Sequence, residues 1–504
     1  MYYISLAENA HDSCLTIANS QQVILHLELE RFFNYKRYKI NKTSTLFALI
    51  SFLIYELNMD NEIKFIVSRH NGERLYPEVI EYIYRNFSQK QIAEVQHLDC
   101  HASFCYLTNF EDALVLAMDG GGDHRIPLHK ANCLIYHYQN KKLKLIGSPF
   151  NQGFDGFDGK LWAIVAYKLF NDINAAGKVM GLAAYGNFNE KYQEVLLSNK
   201  FAHLGWVFDK ESLDRLCTYL DVKTPDDAAS LAFTLQKMYT ENLISTIENY
   251  RHYSDNLVIT GGCALNVITN TELGESLGYK NVYVPSCPGD EGQSLGALLH
   301  YFGSQDKAIP TTNLPYLGRG IKNNLISDSV YKKLTDLILS GKIVAWHMGR
   351  SETGPRALGH RSLLAIPTTM AIKTIVSEKI KKREWFRPVA PVVLEEYASD
   401  WFDFQYSSPY MSFTAKAKSK TKELAPAIVH ADGTSRIQTL SRANNPELHE
   451  LISRIYEING IPILINTSLN CAGFPICDTE QHSQNFFVST DVDILNINGK
   501  IYIK

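Results

Sequence analysis

What this chain has little of narrows its possible classes first. It carries no surplus of either charge, since 50 Lys and Arg stand against 53 Asp and Glu in 504 residues, a formal net charge of −3. A general grip on a long polyanion needs a cation excess, so nucleic acid is not the expected partner, although a local basic cluster can still face an anionic ligand. No apolar run is long enough to cross a bilayer. The longest, TLFALISFLIY at 45–55, reads as a buried helix, and no membrane partner is expected. The nine cysteines are an odd number and scattered, and CAGFPIC at 471–477 spaces two of them poorly for zinc. With no basic leader in MYYISLAENA, this pattern predicts free thiols in a reducing cytoplasm. Neither a short-period repeat nor a low-complexity tract is visible.

What is present reads as an ordinary soluble composition, 45% hydrophobic and 20% charged, in a chain long enough for two to four domains. Short apolar runs alternate with helical patterns, which predicts an α/β class. Strands are expected at 113–118, 256–260, 281–285, 342–347 and 462–466, and helices at 160–170 and 231–247. The stretch PTTNLPYLGRGIKNN at 310–324 has Pro, Gly and Asn without periodicity and marks the main boundary.

Three strand ends run into glycine. ALVLAM meets Asp119, Gly120, Gly121 and Gly122; NLVIT meets Gly261 and Gly262 of GGCALN, which ends at Asn266; NVYVPSC meets PGDEGQSLG. Such turns let bare backbone amides approach phosphate oxygens, and a strand-end Asp can hold a cation. Upstream, HLDCHASF places His97 and His101 four apart, on one face of a helix, where two imidazoles reach one metal ion. On ligand chemistry alone, a set of two His and two Asp suits iron, manganese or zinc.

The second half is rich in cations interleaved with Gly, Pro and aromatic residues: Arg350, Arg356, Arg361, Lys381, Arg383, Arg387 and Arg436. Arginine forks suit phosphate oxygens, and lysine adds a point charge. The blocks GRSETGPRALGHRS, KKREWFRPVAP, DGTSRIQ and NTSLN, in this order after the glycine turns, resemble the C-terminal domain of the NodU/CmcH-type O-carbamoyltransferases, and the likeness covers nearly the whole chain.

That resemblance implies an actin-like ATPase (ASKHA) fold over 1–318 and a YrdC-like α/β domain over 319–504. It implies a metal, Fe(2+) in the family, on His97, His101, Asp119 and Asp290. It implies that Lys381/Arg383 and Ser468/Asn470, with the other cations, hold ATP with Mg(2+) and carbamoyl phosphate, Lys381 and Arg436 serving the formation of carbamoyl adenylate. The glycine turns, Asn266 and Lys178 of AGKVMGLAAYG would then receive the adenylate in the N-terminal domain. His11 would act as general base for the attacking hydroxyl of a small metabolite or nucleotide. His124, just after the glycines, reads as a loop histidine.

The chain departs from the family pattern at Leu29 within LELERFFNYKR, at Thr353 before GPRALG and at His360 after it. Two other classes share part of the pattern: a tRNA threonylcarbamoylation-type enzyme, disfavoured by the net acidic chain, and a non-catalytic actin-like nucleotide-binding module.

Overall fold

The computed structural model describes residues 1–7, 11–40, 43–59, 62–69, 77–87, 92–123, 131–148, 159–198, 201, 209–321 and 326–504. His124 lies outside them. Three sheets organise these residues, and the first two are built alike. Sheet one contains β1 (Tyr2–Ala7), β2 (Cys14–Asn19), β3 (Val23–Glu28), β4 (Ile63–Arg69) and β5 (Ala93–Gln96) in the order β3-β2-β1-β4-β5. Sheet two contains β6 (Asp112–Asp123), β7 (Ala131–Gln139), β8 (Lys142–Gly147), β9 (Asn256–Thr260) and β10 (Asn281–Tyr283) in the order β10-β9-β6-β7-β8. In each, three antiparallel strands are followed by two that add parallel to the first. The unit is therefore duplicated, which no sequence period announces.

The helix Gln293–Gly303 is buried at all but one of its eleven residues and packs against β1, β2 and β4. Gly296 permits its closest approach, because a Cβ there would lie 2.1 Å from the Cys100 carbonyl oxygen. The apolar run at 45–55 falls in the helix Thr43–Glu56, whose buried face carries Leu46, Leu49, Ile50 and Leu53. No described helix is long and apolar enough to cross a membrane. All nine cysteines are free thiols.

The third sheet has nine strands: β11 (Val344–His347), β12 (Arg361–Ala365), β13 (Ala390–Leu394), β14 (Phe402–Asp403), β15 (Phe413–Ala417), β16 (Thr434–Leu440), β17 (Ile463–Ser468), β18 (Ile494–Ile497) and β19 (Lys500–Ile503), ordered β14-β15-β16-β13-β17-β12-β11-β18-β19. Every expected strand forms, with shifted ends. One difference matters for the site: β6 does not stop at Asp119 but continues to Asp123, its pairing with β7 breaking register between Met118 and Asp123. The glycines there lengthen an irregular strand instead of ending it.

The segment that marks the boundary runs along the edge of sheet one, where Val23 N donates to Thr311 O and His26 N to Leu317 O, both at 2.9 Å. Among the contacts that join the N-terminal sheets to the third are two that are buried. Helix Val267–Ser276 meets β15 through Thr271, whose hydroxyl accepts from Thr414 N at 2.9 Å. Arg31, 3% exposed, pairs with Glu28 at 3.0 Å and donates to the carbonyls of Glu352, at 2.6 Å, and Gly354. The unusual LELER block thus serves this contact: Leu29 is buried in the first core while Glu28 accepts from Gly354 N at 2.6 Å.

Arg31→Ala would leave Glu28 buried without its partner and two carbonyls undonated, a loss of about 3–5 kcal/mol by precedent for broken buried pairs. We expect the variant to melt several degrees lower and to be cut faster by protease; unchanged melting would contradict the contact's role.

Candidate functional site

The helix His97–Ala102 follows β5 directly, so its first residue and the one a turn later face the same way. His97 and His101 are 1% and 0% exposed, their rings edge to face with centroids 4.8 Å apart. Opposite them stand Asp119 on β6 and Asp290 in the turn before helix Gln293–Gly303. His97 Nε2 lies 2.7 Å and His101 Nε2 3.4 Å from Asp119 Oδ2, and the same nitrogens lie 3.6 and 3.5 Å from Asp290 Oδ1. One potential ligand atom from each of the four falls within 4.8 Å of the others. Two imidazoles and two carboxylates converging on one buried point fit a divalent transition metal in donor type, number and spacing. Gln293 Nε2 donates to His97 O at 3.2 Å and is itself held by Ser68 at 2.6 Å, which ties the cluster to sheet one. Burial works to raise the Asp119 carboxyl, but the hydrogen bonds from His101 and His97 hold it well below the usual carboxylate range.

His11 stands beside this cluster, 4.0 Å from Asp290 Oδ2, with its side chain 49% exposed. The hydrogen bond to Asp12, at 2.8 Å, with the negative charge of Asp290 and Asp119, raises the imidazole to about 9.

The glycine turns close on the same place. Gly261 has φ +89°, and a Cβ there would sit 1.8 Å from Met118 O; one on Gly262 would sit 2.8 Å from Asp119 Oδ1, and one on Gly159 2.8 Å from Gly120 Cα. For Gly121 and Gly122 only their place in β6 is described. The Asn266 side chain caps helix Val267–Ser276 by accepting from Thr269 N at 3.2 Å and donates to Gln236 at 3.1 Å. Lys178 pairs with Glu384 of the third-sheet region at 2.6 Å, so its expected phosphate contact is replaced here by an ion pair between the two parts of the chain.

The seven cations divide in two. Arg361, 0% exposed, spends its guanidinium on the carbonyls of Met348, His360, Arg319, Gly349 and Asp478, and Arg350 donates to those of Gly318, Ile24 and Leu317. Arg361 is structural, contrary to expectation, because a guanidinium whose donors are all taken by backbone has none left for a phosphate, whereas Arg350 spends only Nε and Nη2 on backbone. Arg356, Arg383, Arg387 and Arg436 instead face one another. Burial first, and then their mutual repulsion, pushes Arg356, Arg383 and Arg436 below the ordinary arginine range. Arg436 Nε is buried with no hydrogen-bond partner, and among the described residues the one carboxylate within ion-pair distance of the four is Glu384, 3.6 Å from Arg387. Half-buried cations gathered like this, with one carboxylate near them, mark an anion site.

Lys381 anchors the edge of that site. Its ammonium donates to Asn470 O at 2.7 Å, to Ser468 Oγ at 3.1 Å, and to Ser468 O and Asn470 Oδ1, while Arg383 reaches Thr467 at 3.2 Å and Ser468 Oγ at 3.4 Å. The two expected pairs, 381/383 and 468/470, thus meet. Sequence reasoning gave no role to Tyr185, Phe386 and His430, which line a cleft beside Arg436; Tyr185 and Phe386 lie within the AGKVMGLAAYG and KKREWFRPVAP blocks, but the two blocks are far apart along the chain.

Comparison with known proteins comes from three directions. A family model described as carbamoyltransferase N-terminus matches residues 59–299, and one described as carbamoyltransferase C-terminus matches 335–504. Nodulation protein NolNO of Sinorhizobium fredii (strain NBRC 101917 / NGR234) is 31% identical over 454 residues, covering 82% of this chain but 64% of its own length, so this chain spans less than two thirds of it. Nodulation protein U of the same strain is 30% identical, with 75% of this chain and 72% of that one aligned, and an uncharacterized protein of Methanocaldococcus jannaschii is 28% identical over 98% of both. Among solved structures, full-length HypF in its phosphate- and nucleotide-bound form superposes with a TM-score of 0.34 at 12% identity, covering 61% of this chain and 47% of that one. A ROK family protein from Streptococcus pneumoniae gives the same TM-score at 10% identity over 61% and 100%. Superpositions that loose carry no conclusion.

Burial lowers His26, His360 and His430 to about 4 and His347 to about 2. Unfolded histidines take protons near 6.5, so between that pH and 4 the unfolded chain binds more protons and stability falls with pH. His11 and His101, raised to about 9, act in the opposite sense, losing their contribution only as pH rises toward 9. Glu28 and Glu291, raised by burial to about 8 and about 7, also act in the opposite sense, because the folded chain keeps their protons. The histidine contribution is therefore read by difference: from pH 7 to pH 5 wild type should lose more melting temperature than His347→Asn, and equal losses would refute the assignment of His347 as buried and neutral.

Proposed function

The chain belongs to the carbamoyltransferase family, and from that premise we propose that it is an ATP-dependent O-carbamoyltransferase with two successive sites. The observation that carries this reading is the set of Arg356, Arg383, Arg387 and Arg436, four guanidinium groups beside Lys381 with one carboxylate within reach. ATP, with Mg(2+), and carbamoyl phosphate supply the missing counter-charge. Water cleaves carbamoyl phosphate to carbamate and inorganic phosphate; a carbamate oxygen then attacks the α-phosphorus of ATP, so that carbamoyl adenylate forms and pyrophosphate leaves, with negative charge building up where the arginines converge. The meeting of Lys381 and Arg383 with Ser468 and Asn470 supports a YrdC-like reading of residues 319–504. The duplicated sheets with their glycine turns support an actin-like (ASKHA) reading of residues 1–318.

Carbamoyl adenylate is a mixed anhydride that water destroys, so the two sites must communicate. Arg356 lines a cavity whose other walls include Ala264, Leu265 and Pro288, next to Gly261 and Asp290, and this supports a direct route between them. In the N-terminal part, His97, His101, Asp119 and Asp290 are the residues that would hold a metal, iron by the family precedent. Such an ion polarises a carbonyl or holds a phosphate when bound. The backbone at Gly120, Gly261 and Gly262 leaves room for the adenylate to lie close, and His11 stands at the cluster's exposed side, placed to exchange a proton with the acceptor hydroxyl. The acceptor itself, a hydroxyl-bearing small metabolite or nucleotide, is selected by no motif here.

Two expected outcomes test this. Given ATP, magnesium and labelled carbamoyl phosphate, the protein should release pyrophosphate without any acceptor. Arg356→Ala and Arg436→Ala, which remove guanidinium groups that face other arginines, Arg436 Nε making no hydrogen bond among the described residues, should each lower that release by at least about a hundredfold without lowering the melting temperature; full release in both would remove the site. Separately, replacing His97 and His101 together by Ala should strip most bound transition metal, read by elemental analysis, and stop carbamoyl transfer while sparing pyrophosphate release. Unchanged metal content would disprove the ligand set.

A further inference from the structure

Two buried side-chain amides hold the stretch of backbone that follows Arg356. Gln438 Nε2 donates to Leu358 O at 3.0 Å, Asn466 Nδ2 donates to Ala357 O at 3.2 Å, and the same Nδ2 donates to Gln438 Oε1 at 2.7 Å. The two side chains are 2% and 1% exposed. We propose that Gln438 and Asn466 are positioning residues of the ATP site, which keep Arg356 within the arginine set. This rests on the ATP reading above.

Charge makes such a hold necessary. Arg387 and Arg436 repel Arg356, while Glu291, next to Asp290 in the N-terminal part, attracts it. Arg356 lies in a loop, so an unheld backbone would let its guanidinium draw away from the set before any anion arrived. Leu358 has further anchors: its amide donates to Glu352 Oε1 at 2.7 Å, its carbonyl accepts from the Tyr316 hydroxyl at 2.9 Å, and its side chain packs with Ala390 and Met411. Ala357 is one residue nearer the guanidinium, and the bond from Asn466 secures it there.

The place of the two amides in the third sheet ties this hold to the rest of the site. Alternate residues of a strand face the same way, so Gln438 shares a face of β16 with Arg436, and Asn466 shares a face of β17 with Ser468. Strand β13 runs between them, and the residue it sets opposite Asn466 is Ala390, whose methyl group leaves the two amides room to meet. One chain of hydrogen bonds thus links the strands of Arg436 and Ser468 to the loop of Arg356. Gln438 ends the block DGTSRIQ and Asn466 opens NTSLN, each two residues from a group of the anion site. Three blocks that are distant in sequence are kept at one spacing.

Positioning and mere support give different results when both amides are removed together. Replacing both partners of a hydrogen bond by apolar groups of similar shape disturbs a fold less than removing one and stranding the other. Gln438→Met combined with Asn466→Leu should therefore melt close to wild type, yet release pyrophosphate from ATP and carbamoyl phosphate about tenfold or more slowly. Added to Arg356→Ala, the same two changes should slow release no further, because the residue they act through is gone. An equal further loss in that background overturns the proposal, and so does wild-type release by the double variant with Arg356 intact; either result leaves the ATP reading standing. Should the double variant unfold, Gln438→Met alone, which leaves Leu358 O its Tyr316 donor, goes through the same comparison and decides by the same outcomes. Wild type that releases no pyrophosphate sinks the ATP reading first, and the positioning role with it.

Discussion

One buried guanidinium sets the distance between the two candidate sites. Arg31 leaves sheet one, pairs with Glu28 and grips the carbonyls of Glu352 and Gly354. Gly354 has φ +95°, and a Cβ on it would lie 1.8 Å from Ser286 O, so the turn it forms is pressed onto the segment that leads to Asp290. Two residues past that turn comes Arg356, a member of the arginine set. The metal-type cluster and the anion site are thereby fixed to one short piece of backbone, held from both sides. Charge buried this deeply is tolerable only when paired, which is why Glu28 and Arg31 occur together.

The departures from the family pattern fit the same junction. Thr353 places its hydroxyl 3.0 Å from that of Ser286 and its amide 2.7 Å from Pro315 O. His360 stacks on Tyr316 with centroids 3.6 Å apart and puts Nδ1 2.6 Å from Arg350 O. Both substitute polar contacts that the surrounding backbone satisfies, so they repack the joint without adding charge to the anion site.

The arginines show how a single residue type serves opposite purposes. Where backbone carbonyls crowd around, as at Arg361, the guanidinium is a rivet. Where neighbours are other cations, as at Arg356 and Arg436, its unspent donors and charge are available for a ligand. In sequence the two kinds are interleaved within GRSETGPRALGHRS and cannot be told apart, since each sits beside glycine and proline. The difference is made entirely by which carbonyls the fold brings within 3.5 Å.

Read alone, the sequence determined what local pattern can determine. Runs of apolar residues such as ALVLAM and NLVIT could only be buried strands, and the spacing of His97 and His101 put both rings on one face of one turn. Lys381/Arg383 and Ser468/Asn470 were recognisable only through the family resemblance, whose pairs have the same spacing. Tertiary structure alone decided what depends on segments far apart. It repeated one sheet topology with no repeated sequence, because hydrogen-bonded strand order is indifferent to side-chain identity. It brought Asp119 and Asp290 to the same two histidines, turned Asn266 into a helix cap, and set Lys178 against Glu384. It also assembled Tyr185, Phe386 and His430 into one cleft, since a pocket is a property of surfaces that meet, and no stretch of chain contains both sides.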